Sequence, residues 1–187
     1  PSQIHIMSFD IEVDIKDSYP NVNTADKEII SISSKSTKED IYRLYGLKHY
    51  DKTKTITGID PSKIVYREFD DELALLRRFI EDWIADYPDI ITGWNVEYFD
   101  IQYLVTRIIR VFGEDVARKL SPWNHIQQRT TKIFNRDQST YVIYGISVVD
   151  YMDAFKKFGY KYGPQESYKL DHIAYVVLGE QKLDYSE

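Results

Sequence analysis

The sequence contains no cysteine at all. That excludes disulfides, thiolate zinc sites and cysteine nucleophiles. Nor does it contain an apolar stretch of about 18 residues, so nothing reads as a membrane span. Residues 1–13 lack a basic start followed by an unbroken apolar block, so no signal peptide is visible. Basic residues are in the minority: 24 Lys and Arg stand against 30 Asp and Glu, a net charge of −6. A domain that grips duplex DNA through its phosphates is usually basic. An acidic one needs another source of attraction, and carboxylates holding divalent cations would supply it. The same charge also fits an ordinary acidic soluble protein.

What is present is a core. Of the 187 residues, 43% are hydrophobic and 14% aromatic, enough for one folded domain and against disorder. There are no internal repeats and no low-complexity segment. The chain starts at Pro1 and stops at Glu187 without a capping element, which reads as a piece of a longer protein.

Four short β-type runs come first: Ile4 to Val13, Ile29 to Ser33, Ile41 to Tyr45 and Ile64 to Phe69. Turn residues separate them, which predicts an antiparallel meander. The period then changes. Leu73, Leu76, Phe79, Ile80, Trp83, Ile84 and Tyr87 mark one apolar stripe of a helix over 71–87. Asp70 and Asp71 suit its start and Pro88 its stop. A buried strand from Ile90 to Trp94 follows. Asp100 is expected to begin a second helix, with Ile101, Leu104, Ile108 and Val111 inward, ending near Gly113. A short charged helix is expected over 114–120. Residues 130–146 read as a β-hairpin whose tip is the polar run Asn135 to Gln138. A short strand (147–150), a short helix (152–158), a Gly/Pro loop (159–164) and a last helix from Tyr168 to Leu178, closed by Gly179, complete the chain. The fold class is therefore α/β, a mixed sheet flanked by helices with an inserted hairpin, in outline ribonuclease-H-like.

Two features carry chemistry. Asp10 and Glu12 sit two apart in the first strand, so alternation puts both carboxylates on one face. Two such groups repel unless a cation or water lies between them. Mg²⁺ or Mn²⁺ takes oxygen ligands of this kind. A solvent-facing strand end is the other reading. Asp100 lies beside the carboxyl end of a strand, where open α/β sheets place their chemistry. It also reads simply as the first residue of a helix.

Phe9-Asp10-Ile11-Glu12 resembles the first exonuclease motif of family B DNA polymerases, and Thr92-Gly93-Trp94-Asn95-Val96-Glu97-Tyr98-Phe99-Asp100 resembles the second. Gly145 to Tyr151 and Ser167 to Asp171 resemble the downstream pattern. The likeness runs over essentially the whole chain and is nearest to the T-even-type phage polymerases. It implies that residues 1–187 form a 3′→5′ proofreading exonuclease domain with a ribonuclease-H-like fold. It further implies a two-ion Mg²⁺ or Mn²⁺ site held by Asp10, Glu12 and Asp100. By the same resemblance, Asn95 and Tyr19 would support the single-stranded primer 3′ end of DNA. Phe99 would pack under the site, and the hairpin, with Arg129, Lys132 and Arg136, would help to part the strands. The implied partners are the polymerase domain of the same parent chain and, through it, a sliding clamp. The implied location is the cytoplasm, that of a host cell if the protein is phage-encoded, with no membrane.

The family's third motif, Tyr-x-x-x-Asp, is not found downstream of the second. Its one match, Tyr66 to Asp70, precedes it. The domain is therefore expected to be truncated before that motif, and weakly active or inactive by itself. The readings left open are a free-standing exonuclease using Asp171 or Asp150 as the missing ligand, and a non-catalytic nucleic-acid-binding module.

Overall fold

The structure is a computed structural model. It describes residues 4–15, 18–51, 58–133 and 136–180, with the side chains of Ile133 and Arg136 left aside. One six-stranded sheet runs in the order β4-β3-β2-β1-β5-β8, and β6 and β7 form a separate two-stranded ribbon. The strands are β1 (Ile6–Val13), β2 (Ile29–Ser36), β3 (Tyr42–Gly46), β4 (Ile64–Glu68), β5 (Ile90–Gly93), β6 (Ile126–Ile133), β7 (Arg136–Ile143) and β8 (Ser147–Asp150). The helices are α1 (Glu72–Ala85), α2 (Gln102–Phe112), α3 (Glu114–Arg118), α4 (Tyr151–Phe158) and α5 (Leu170–Leu178).

The four-strand meander is half right. β1 and β2, and β2 and β3, are antiparallel, but β3 and β4 are parallel. A long connection separates them, and such a connection lets the chain cross back and re-enter in the same direction. β5 and β8 add to the other side in parallel. The mixed α/β sheet expected of a ribonuclease-H-like arrangement is what forms.

β1 shows why it sits in the centre. Phe9, Ile11 and Val13 are buried while Asp10 and Glu12 between them are exposed. The apolar set packs with Ile29, Ile32 and Tyr45 against Leu75, Leu76, Phe79 and Trp83 of α1 and against α2. Phe9 meets the edge of Trp83 at 6.1 Å between ring centres. The two carboxylates therefore lie on the face turned away from this core.

In α1 the Asp71 carboxylate accepts the Ala74 N–H at 2.8 Å, a side-chain N-cap. The helix ends three residues before Pro88. Its buried stripe differs from the expected one: Leu73 is exposed, and Glu72 and Leu75 face inward. Glu72 disguises the pattern because its charge is met inside by Arg107, at 2.6 Å.

The hairpin is longer than expected and starts earlier. Ile126 pairs with Ile143 and Ile133 with Arg136, while Asn135, read as part of the tip, lies outside the described residues. Asp137 and Gln138, read as tip residues, are strand partners of Lys132 and Thr131. Both are exposed on β7, so their polar side chains do not mark a turn as they would in a half-buried strand. The last helix begins at Leu170 rather than Tyr168, and Gly179 ends it in the left-handed conformation.

Candidate active site

The chain reaches Asp100 through an irregular turn. β5 stops at Gly93, close beside β1: a Cβ there would stand 3.0 Å from the Phe9 carbonyl and 3.0 Å from the Val96 Cβ. Asn95 then takes φ +59, a left-handed value that Asn tolerates better than most residues. From Glu97 to Ile101 the backbone makes one π-helical turn, closed by the Ile101 N–H on the Val96 carbonyl at 2.9 Å. Asp100 is thus inside this turn, and α2 starts only at Gln102, which corrects the expectation that Asp100 opens the helix. Such π turns are uncommon and concentrate at functional sites.

The turn drives the Asp100 carboxylate toward β1. One oxygen accepts the Ile11 N–H at 3.0 Å, between Asp10 and Glu12 in sequence. Asp100 is 2% exposed. Burial, then the charge of Asp10, pushes its pKa from 3.8 up to about 8, with Asp150 adding to the rise and the Ile11 N–H opposing it. A buried carboxylate held near an exposed one of like charge is an arrangement that a divalent cation relieves.

Asp10 and Glu12 share one wall of an open groove of about 740 Å³. Trp94, Leu170 and Asp171 stand along the same groove. Trp94 is fixed there by its indole N–H, which donates to the Tyr168 carbonyl at 3.0 Å. Among the described residues no three His, Asp or Glu side chains are gathered closely enough to form a complete metal cluster. The fit to a cation therefore rests on donor chemistry: hard carboxylate oxygens suit Mg²⁺ or Mn²⁺, ions that ordinarily complete their shell with water and substrate phosphate.

The other expected residues are placed as follows. Asn95 lies at the turn, its N–H held by Asp150 Oδ1 at 3.0 Å. Phe99 packs against the core and stacks on Tyr103, 6.1 Å between ring centres, under the turn rather than along the groove. Tyr19 is 91% exposed and does not line the groove. Arg136 belongs to β7 by its backbone, while its side chain lies outside the described residues.

Asp150, considered above as a ligand, has its oxygens engaged already. Oδ1 accepts the N–H groups of Asn95 (3.0 Å) and Met152 (2.9 Å), and Oδ2 accepts that of Glu97 (3.0 Å). It caps α4 and holds the turn. Sequence reasoning assigned no role to Glu97, whose carboxylate pairs with Arg129 of β6 at 2.6 Å. Burial raises the Glu97 pKa and Arg129 opposes the rise. Neither role has a linear signature, since the partners are 53 and 32 residues away.

Known proteins resemble this chain over almost its whole length. The chain is 33% identical to a DNA-directed DNA polymerase of Escherichia phage RB69 over 202 aligned positions, 98% of this chain and 22% of that protein. It is 27% identical to a DNA-directed DNA polymerase of Enterobacteria phage T4, across 97% of this chain and 22% of that protein. It is 29% identical to a DNA polymerase catalytic subunit of human herpesvirus 8, across 97% of this chain and 18% of that protein. The chain thus spans about a fifth of the length of these relatives. The family model for the exonuclease domain of family B DNA polymerases matches residues 2–173, and the chain belongs to that family.

Proposed function

We propose that this domain removes nucleotides from the 3′ end of a DNA strand by metal-assisted hydrolysis, as the proofreading unit of a longer DNA polymerase. The observation that carries this reading is the Asp100 carboxylate, buried and seated on the Ile11 N–H beside Asp10, in a chain of the exonuclease family. Members of that family are generally divalent-metal dependent.

Asp10 and Asp100 would hold the divalent ions, with Glu12 extending the set along β1. When bound, two such ions supply an activated water and neutralise the charge on the attacking and leaving oxygens. Asp10 and Glu12 present their oxygens to the groove from a rigid central strand. The groove, walled by Trp94 and Leu170, would receive the strand end. Apolar and aromatic walls accept any base, which a proofreader needs. Asn95 and Tyr19 would contact the DNA strand, Phe99 would support the turn from beneath, and Arg136 would add charge to the hairpin. A further carboxylate from a longer chain would complete the site. The polymerase domain would belong to that longer protein, which would in turn contact a sliding clamp.

The test compares this chain with a longer polypeptide carrying a downstream Tyr-x-x-x-Asp, on a 3′-labelled single-stranded oligonucleotide with Mg²⁺ or Mn²⁺. The longer form should degrade the strand from its 3′ end, and Asp10→Ala or Asp100→Ala should abolish the activity. The short form should be weak. Undiminished activity in both substituted forms would refute the assignment.

A further inference from the structure

Every polar group of Glu97 is taken, and each by a different element. Its N–H donates to Asp150 Oδ2 at 3.0 Å. Its carbonyl accepts the Thr140 hydroxyl of β7 at 2.6 Å. Its carboxylate accepts from Arg129 Nη2 of β6 at 2.6 Å. Arg129 and Thr140 are not an arbitrary pair: they face each other across the hairpin in register, so both side chains leave the ribbon on one face. Thr140 is 1% exposed, whereas Arg129 is half open to solvent. Glu97 opens the π turn, and Asp100 lies three residues further on, before the bond from Ile101 to Val96 closes it.

We propose that the β6–β7 hairpin positions the Asp100 carboxylate through Glu97, with Thr140 and Arg129 as positioning residues for the metal site. This rests on the exonuclease reading and adds to it a link between the ribbon and the chemistry. The turn is too short and too fully bonded to absorb a shift at Glu97 without moving Asp100. A hairpin pulled away from the turn would draw Asp100 off the Ile11 N–H and open the space beside Asp10. The position of the ribbon would therefore tune the affinity of the site for its cation.

The experiment is Mn²⁺ binding to this chain, followed by electron paramagnetic resonance, with matched thermal melts. Thr140→Val keeps the shape and removes the donor. It should weaken Mn²⁺ binding by about fivefold, the order expected for the loss of one net hydrogen bond. Thr140→Ser keeps the hydroxyl and should restore wild-type binding. Arg129→Gln, on the exposed side, should weaken binding in the same direction, and it decides the matter alone if Thr140→Val fails to fold. Asp100→Asn is the reference. If it loses Mn²⁺ while Thr140→Val and Arg129→Gln bind as wild type, the hairpin link is wrong and the site reading stands. If Arg129→Gln lowers only the affinity for an oligonucleotide in EDTA, Arg129 is a plain phosphate contact and the link is again wrong. If Asp100→Asn leaves Mn²⁺ binding intact, the site reading falls and the link falls with it.

Discussion

The Asp100 carboxylate accepts the backbone N–H of Ile11 at 3.0 Å across 89 residues of sequence. Ile11 stands between Asp10 and Glu12, so this one bond ties the two carboxylate-bearing segments together. It also forces Asp100 into a buried place next to a like charge, and the consequences can be measured.

The first concerns pH. The folded carboxyl of Asp100 binds its proton up to about pH 8, against an ordinary value of 3.8. Between these values the folded state holds a proton that the unfolded state has lost. Stability therefore falls as pH rises from about 4 to about 8. Asp100→Asn removes the charge and keeps an acceptor for the Ile11 N–H. It should raise the stability of the metal-free domain at pH 8 by on the order of a few kcal/mol, and by little at pH 4. Melting curves at the two pH values check this. A substitution that destabilises equally at both would show that the charge is not strained.

Asp150 makes the second prediction. Its carboxylate serves three N–H groups, two of them in the turn before Asp100. Asp150→Ala leaves those donors without their acceptor and should cost roughly 3 kcal/mol. Asp150→Asn should recover part of this, since its Oδ1 still accepts from Asn95 and Met152 and only the Glu97 N–H meets its NH₂ group. Hydrogen exchange at Glu97 should quicken in both variants relative to the α1 amides, and at Asn95 in Asp150→Ala.

Gly93 gives the third. A methyl group there meets the Phe9 carbonyl and the Val96 side chain at 3.0 Å each. Backbone and a buried Val are the obstacles, and neither yields easily. Gly93→Ala should cost about 1–3 kcal/mol, and, because Phe9 precedes Asp10, should also weaken Mn²⁺ binding. A variant with wild-type melting and metal affinity would show that the strands can separate without consequence.

The buried pair Glu72–Arg107 gives the fourth. Arg107 also donates to the Ala25 carbonyl at 3.0 Å, and Glu72 accepts the Ile29 N–H at 2.7 Å. The pair thus joins α1, α2 and the entry to β2. Removing one partner strands a buried charge and should cost about 3–5 kcal/mol. Glu72→Met with Arg107→Leu should cost less than the two single changes added together. Urea denaturation of the three variants measures the difference.

The legible parts of the sequence were those set by local periodicity. Alternation in β1 put Asp10 and Glu12 on the face opposite Phe9 and Ile11, and the structure places them so. The N-cap at Asp71 and the C-terminal Gly179 were equally local. Leu73 was misplaced because the inward position of Glu72 depends on Arg107, 35 residues away. The parallel pairing of β3 and β4 depends on where a long connection leads the chain, and no residue pattern within either strand records it. The π turn escaped notice for the same reason. Its residues have no distinctive composition, and it is imposed by Asp150 from one side and the hairpin from the other.

By itself, then, the sequence determined the carboxylate pair of β1. Side chains alternate along any strand, and only one face of this one is apolar. Tertiary structure decided that Asp100 takes the Ile11 N–H between the two, that burial would hold its proton to about pH 8, and that Glu97 would join the hairpin to the turn. These depend on distances between segments tens of residues apart, which packing sets and linear spacing does not.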